Sequence, residues 1–257
     1  MSSIYYKPIK KEVEVFSTSF ELNLPVLLKG PTGCGKSRFV EAMAEKFDLN
    51  VVTVVCNDET SATDLLGRYL IKGTETLWQD GPVTTAVRNG SLLYMDEIAE
   101  AREDIVTVLH SLSDYRRRLF LDRNNETLDV PSDFMMVVSF NPGYQQSFKE
   151  LKPSMRQRFV TLSFDYPEFD IECEIVSKES ELDLAQVKQL VKISSKLRTL
   201  EGLGLAETVS TRLIIGAAKL IRGGLHPRLA CEVGIVQALT DDRDKIEAMN
   251  DLISMVF

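Results

Sequence analysis

Gly30-Pro31-Thr32-Gly33-Cys34-Gly35-Lys36-Ser37 fills every fixed position of the pattern G-x-x-x-x-G-K-[ST], directly after the apolar run Pro25-Val26-Leu27-Leu28-Lys29. This pattern dictates its own surroundings: a buried strand must deliver the chain into the turn, and a helix must leave it. The glycines let the backbone curl until successive N–H groups point at one anion, and the helix adds its positive end. The next residues, Arg38-Phe39-Val40-Glu41-Ala42-Met43-Ala44, have a helical character. The segment predicts a bound nucleoside triphosphate, with Gly30, Pro31, Thr32, Gly33, Cys34, Gly35, Lys36 and Ser37 forming the cradle. Lys36 would reach the β- and γ-phosphates, and the Ser37 hydroxyl would bind Mg²⁺.

A single strand, loop and helix need a sheet to sit in, and the chain supplies one. Continuous apolar runs recur at Val26–Leu28, Val51–Val55, Leu92–Met95, Met135–Phe140 and Phe159–Phe164, as expected of parallel strands buried on both faces. Ile105, Leu109 and Leu112 fall on one helical face. Five such strands with helices between them predict a three-layer α/β domain. After Asp165-Tyr166-Pro167 the pattern turns wholly helical, over about Asp170–Glu179, Asp183–Glu201, Ser210–Gly223 and Pro227–Leu239, with a last helix near Val256. The expected division is therefore an α/β part over residues 1–166 and a small all-helical part over 167–257.

Charge and cysteine content narrow the function. A formal charge of −8 over 257 residues argues against a dedicated nucleic-acid binder, whose phosphate-facing surface is basic. The four cysteines are scattered without a C-x-x-C, and only two histidines are present, which speaks against a zinc site or a disulfide framework and suits the reduced cytoplasm. The N-terminus lacks the form of a signal peptide, and no apolar run approaches the ~18 residues of a membrane span. A cytoplasmic protein without a membrane segment is expected.

Leu92-Leu93-Tyr94-Met95 ends in Asp96-Glu97. At the end of a strand near a phosphate loop, Asp96 would hold Mg²⁺, largely through water, and Glu97 would orient and polarise an attacking water. The next strand ends in Asn141, whose amide can position that water, although Asn-Pro-Gly is also an ordinary turn sequence. Arg156 and Arg158 follow, and arginine is the residue used in trans to neutralise a transferring phosphoryl group. Arg212 lies in the first turn of a helix behind Ser210 or Thr211, a poor place for a cation unless it faces an anion. For all three arginines, a surface salt bridge is the competing explanation.

In this order, the phosphate loop, the Asp-Glu strand, Asn-Pro-Gly, Arg-Gln-Arg-Phe and Ser-Thr-Arg resemble the AAA+ ATPases of the MoxR class. Lys152-Pro153-Ser154-Met155-Arg156-Gln157-Arg158-Phe159, Trp78-Gln79-Asp80-Gly81-Pro82, Val138 to Gln145 and Leu239-Thr240-Asp241-Asp242 are similar to the CbbQ/NirQ/NorQ group, and most of all to its CbbQ members. The resemblance runs from Pro8 to Phe257. It implies an AAA+ domain with a helical lid, Walker A at Gly30–Ser37, Walker B ending at Asp96 and Glu97, sensor 1 at Asn141, an arginine finger at Arg158 with Arg156 beside it, and sensor 2 at Arg212. It further implies ATP with Mg²⁺, a homo-hexameric ring, and a CbbO-like partner with a von Willebrand factor A domain. The implied client is rubisco, freed of inhibitory sugar phosphates, with maturation of nitric oxide reductase or another denitrification enzyme as the rival.

Two segments exceed what a plain α/β domain needs. Residues 60–89 hold Tyr69, Leu70 and the single tryptophan, Trp78. By resemblance they are an insert in the second helix with client or partner contacts; a hairpin packed on its own domain is the alternative. Residues 114–130 read as a hairpin with an Asn-Asn turn, resembling the one before sensor 1. Its Arg116, Arg117 and Arg118 could meet nucleic acid, but a solvated hairpin or an acidic neighbour fits so acidic a chain better. A DNA-binding nucleotide switch and a small-molecule kinase are the other classes compatible with a phosphate loop.

Overall fold

The computed structural model describes residues 4–142, 153–199, 205 and 207–257. Gly143, Tyr144, Gln145, Lys152 and the expected helix end at Glu201 lie outside them.

All five predicted strands form, and they pair in one parallel sheet. In chain order they are β1 (Val26–Lys29), β2 (Val51–Val55), β5 (Leu92–Asp96), β8 (Met135–Phe140) and β9 (Val160–Ser163), arranged β2-β5-β8-β1-β9. The central strands β5, β8 and β1 are buried almost throughout, whereas edge strand β2 leaves Val51 and Val55 exposed. A continuous apolar run thus marks a buried strand only where another strand covers each edge.

Alternation along the strands divides the core between the two faces. Leu27, Leu93, Met95, Met136 and Val138 pack with α4 (Pro82–Arg88) and α5 (Glu103–Ser113). The opposite face meets α2 (Lys36–Lys46) and α1 (Glu12–Glu21) through aromatic contacts. Phe39 lies edge-on to Phe16 at 5.5 Å and 5.3 Å from Phe164. Such pairs add about 0.5–1.5 kcal/mol each beyond burial.

Both extra segments contain hairpins. Helix α3 (Ala62–Leu66) is started by a Ser61/Asp64 capping box and leads into β3 (Gly67–Lys72) and β4 (Glu75–Asp80), with Tyr69 opposite Trp78. The second hairpin is β6 (Arg118–Leu121) with β7 (Glu126–Asp129), turned at Asn125 in the left-handed region. Arg88 joins them: its Nε donates to Asp80 at 2.8 Å and its Nη2 to Glu126 at 2.5 Å. Tyr69 Oη also donates to Asn124, 3.2 Å away. Trp78 is half-buried at this base with Tyr69 exposed opposite it, while Leu70, Ile71 and Leu77 stand exposed toward the tip.

The described residues cluster as two compact units, one of 4–30, Lys36–Pro142 and 153–164, the other of Pro31–Gly35 and the described part of Asp165–Phe257. The second is helical: α6 (Pro153–Arg156) belongs to the first unit, and α7 (Phe169–Ser180), α8 (Leu184–Arg198), α9 (Thr211–Arg222), α10 (Pro227–Cys231), α11 (Gln237–Leu239) and α12 (Arg243–Ser254) follow. Asp183, Ser210 and Asp242 cap three of these starts with their side chains. The expected helix over Pro227–Leu239 forms as one uninterrupted run, α10 and α11 joined by a π-turn at Glu232–Val236 that carries Gly234 against Ala217. The last helix begins well before the apolar Val256 that suggested it, at the Asp242 cap. Among the described residues, no helix is long and apolar enough to cross a membrane.

Candidate functional site

In a parallel sheet the carboxyl ends of the strands share one edge, and a crevice opens where the strand order reverses. Here β1 lies between β8 and β9. Gly30 follows β1, Asp96 ends β5, and Asn141 follows β8, so the sheet gathers three of the predicted positions at one edge.

The loop has the backbone its sequence demands. Gly33 and Gly35 adopt φ of +69° and +100°, conformations costly for any residue with a Cβ. A Cβ on Gly35 would meet nothing within 4 Å, so the loop faces open space there. Lys36 is buried and its Nζ donates to the carbonyl of Gly30 at 2.8 Å, bracing the loop across its own mouth. Thr32 Oγ1 donates to Glu207, 3.3 Å away. Gly33 lies against the start of α9, where a Cβ would sit 2.7 Å from Ser210 Oγ and 3.3 Å from the Cβ of Arg212. Arg212 itself is exposed.

A chain of hydroxyl groups joins the loop helix to the acids. Ser37 Oγ lies 3.3 Å from Tyr94 Oη, and Tyr94 donates to Asp96 Oδ1 at 2.9 Å. Ser139 Oγ donates to the same carboxylate oxygen in a very short contact and accepts the backbone N–H of Glu97 at 3.0 Å. Burial, joined by the nearby Asp96 charge, raises the Tyr94 phenol and keeps it protonated, hence a donor. Burial and then the charges of Asp96 and Glu97 push the Cys56 thiol up to about 12, so that it is an inert neighbour.

Glu97 has φ +56° and ψ +44°, a left-handed conformation uncommon outside glycine and typical of strained functional positions. Asn141 Nδ2 donates to Glu97 Oε1 at 3.4 Å, and Asn141 Oδ1 is buried without a partner among the described residues. An orphaned acceptor beside a carboxylate is a place for an ordered water.

Ser37 and Asp96 offer the hard oxygen donors that Mg²⁺ takes, and few protein ligands suffice where phosphates and water complete the shell. No group of three or more His, Cys, Asp or Glu side chains fit for a metal occurs among the described residues. Tyr94 and Ser139 were not foreseen. Each stands two residues before a predicted site residue, Asp96 and Asn141, and the period of two along a strand puts them on the same face.

Arg156 and Arg158 are not brought to this edge. They precede β9, whose Val160 pairs with Val26 at the start of β1. Arg158 is exposed, and its guanidinium makes no hydrogen bond or ion pair with the described residues. Burial first, and then the nearby Arg158 charge, lower the pKa of His110 and keep its imidazole neutral. The three arginines of the second hairpin are engaged within their own unit. Arg116 pairs with Asp114 and Arg118 with Asp129, while Arg117 donates to the carbonyls of Asn23, Pro131 and Phe134.

Comparison with known proteins shows the family. Residues 25–159 match the AAA domain (dynein-related subfamily), and residues 172–256 match the CbbQ/NirQ/NorQ C-terminal family. The denitrification regulatory protein NirQ of Stutzerimonas stutzeri is 48% identical over 98% of this chain and 92% of its own length. NorQ of Paracoccus denitrificans is 49% identical over 98% of this chain and 94% of its own, and CbbQ of Hydrogenophilus thermoluteolus 46% over 100% and 96%. A solved RuvB variant from Thermotoga maritima superposes with a TM-score of 0.59 at 16% identity, covering 95% of this chain and 69% of that one, a likeness of fold. With both of its parts matched and relatives of nearly half its residues along its full length, this chain belongs to the CbbQ/NirQ/NorQ family of AAA+ proteins.

Proposed function

We propose that the protein is an ATP-hydrolysing motor subunit that works as a hexameric ring and remodels a client enzyme with a partner bearing a von Willebrand factor A domain. The observation that carries the catalytic reading is the continuous chain Ser37–Tyr94–Asp96–Ser139–Glu97, with Asn141 on the Glu97 carboxylate. The nucleotide supplies the phosphoryl group and Mg²⁺ the charge that shields it. This chain's residues bind, orient and move the proton. The loop N–H groups and Lys36 hold the phosphates, Ser37 and Asp96 hold the metal, and Glu97 Oε accepts the proton of a water that Asn141 steadies. Arg212, beside the loop tip, faces the same anion.

Ser139 tests this reading, since one hydroxyl fixes both acids. Ser139→Ala removes a donor to Asp96 and the acceptor for the Glu97 N–H. A hydrolysis rate about tenfold lower and a shift to higher Mg²⁺ demand are expected from two lost hydrogen bonds, read by phosphate release across a Mg²⁺ titration. An unchanged Mg²⁺ profile removes Ser139 from the site.

Rubisco freed of an inhibitory sugar phosphate is the client suggested by the resemblance to CbbQ members. A denitrification client is favoured as the second reading by the NirQ and NorQ relatives, which stand at 48% and 49% identity beside 46% for CbbQ. The assay incubates the protein, its partner and ATP with either inhibited rubisco or immature nitric oxide reductase. ATP-dependent recovery of one client, abolished by Glu97→Gln, identifies it. Recovery of neither, with hydrolysis intact, sends the search to another client.

A further inference from the structure

Glu172 of α7 is 1% exposed, yet its carboxylate carries three strong hydrogen bonds. Arg198 of α8 forks onto it at 2.8 and 2.7 Å, and Thr211 Oγ1 donates to it at 2.6 Å. The fork leaves Arg198 Nε to donate to the carbonyl of Val209 at 2.7 Å. One buried ion pair therefore fixes residues 209 and 211, on both sides of the Ser210 cap, and so the first turn of α9, on which Arg212 is the second residue.

The same guanidinium stacks on the ring of Tyr166, 4.3 Å from its centre. Tyr166 Oη donates to the backbone carbonyl of Thr32 at 3.0 Å. Thr32 belongs to the tip of the phosphate loop, next to Gly33, which packs against Ser210 and Arg212. The loop tip and the arginine beside it thus hang from a single anchor, and every contact named here lies within the helical unit and the loop residues that cluster with it.

We propose that the Glu172–Arg198 pair, acting through Tyr166 and Thr211, is a positioning device that sets Arg212 against the phosphate loop and gives the site its preference for a triphosphate over a diphosphate. This rests on the reading of Arg212 as the anion-facing residue of the ATP site. Its chemistry suits the task. A forked Arg–carboxylate pair is geometrically stiff, and a planar guanidinium can hydrogen-bond in its plane while stacking through its face. A lysine at 198 could do neither. Nothing in the device touches the reacting atoms, so Tyr166, Arg198 and Glu172 act only through Arg212 and the loop backbone.

Breaking the ion pair would strand a buried charge and threaten the fold, so the test uses Tyr166→Phe, which keeps the stacked ring and removes only the hydroxyl. The full-length wild type, Tyr166→Phe, Arg212→Ala and the double variant are titrated calorimetrically with ADP and with a non-hydrolysable ATP analogue in Mg²⁺. The expected result is a loss of about three- to tenfold in analogue affinity for Tyr166→Phe, the scale of one hydrogen bond, with ADP affinity nearly unchanged. Because the hydroxyl holds the loop tip, at Thr32, in place beside Arg212, the double variant should match Arg212→Ala alone. Wild-type preference in Tyr166→Phe, equal loss for both nucleotides, or losses that multiply in the double variant each overturn the device. Wild-type binding and hydrolysis by Arg212→Ala instead overturn the reading of Arg212, and the device with it.

Discussion

Arg158→Ala is expected to bind ATP as the wild type does and to hydrolyse it about 10³-fold more slowly, the scale of a lost arginine finger. The argument is one of sheet polarity. Val160 pairs with Val26, the first residue of β1, so Arg158 emerges near the amino end of the strands. The phosphate loop follows the carboxyl end of β1, four residues further along, or about 13 Å at the rise of a strand. The guanidinium would have to run the whole length of β1 to reach the loop of its own subunit. It is nevertheless held outward with care: Met155 and Phe159 are buried on either side, and the Arg158 N–H donates to the Met155 carbonyl at 3.1 Å, closing a tight turn. An exposed arginine that makes no ion pair with the described residues, two positions before the edge strand β9 of a chain with charge −8, suits a neighbour's phosphate better than its own surface. In the proposed ring, doping with increasing shares of Arg158→Ala should therefore lower the activity of the wild-type subunits too, because each variant would leave a neighbour's site incomplete. Wild-type turnover in the undoped variant would discard Arg158 and make Arg156, on the same turn, the residue to replace.

Most of this was legible in the chain because the relevant signals are local. A phosphate loop is eight consecutive residues, and a central parallel strand is one unbroken apolar run. Side-chain caps such as Asp183 and Ser210 mark helix starts within a few residues. What stayed hidden depends on partners distant in sequence. Tyr94 and Ser139 read as core residues of apolar strands, and only the adjacency of β5 and β8 turns their hydroxyls into supports for Asp96 and Glu97. Glu172 and Arg198 look like two more charges on amphipathic helices until α7 and α8 pack and bury them. Arg117 misleads in the opposite direction. Its neighbours in a basic triplet suggest an exposed surface, but its left-handed backbone, φ +45°, turns the side chain inward to three carbonyls, and burial lowers its pKa.

Glu97→Gln should keep full nucleotide affinity while hydrolysis falls about 10²–10⁴-fold, the usual contribution of a general base. The substitution is chosen because it leaves the supports of the side chain in place. The amide oxygen can still accept from Asn141 Nδ2, the backbone N–H still reaches Ser139 Oγ, and the left-handed conformation costs glutamine what it costs glutamate. What disappears is the capacity to take a proton, so binding and turnover should separate cleanly when nucleotide titration and phosphate release are measured on the same preparation. The orphaned Asn141 Oδ1 makes the test sharper. If it holds the attacking water, that water remains in the variant, poised but not activated, and Asn141→Ala added to Glu97→Gln should cost little more, since two residues serving one step do not add. Retained hydrolysis in Glu97→Gln would mean that the strained carboxylate serves the shape of the site, and that the proton leaves the water by another route.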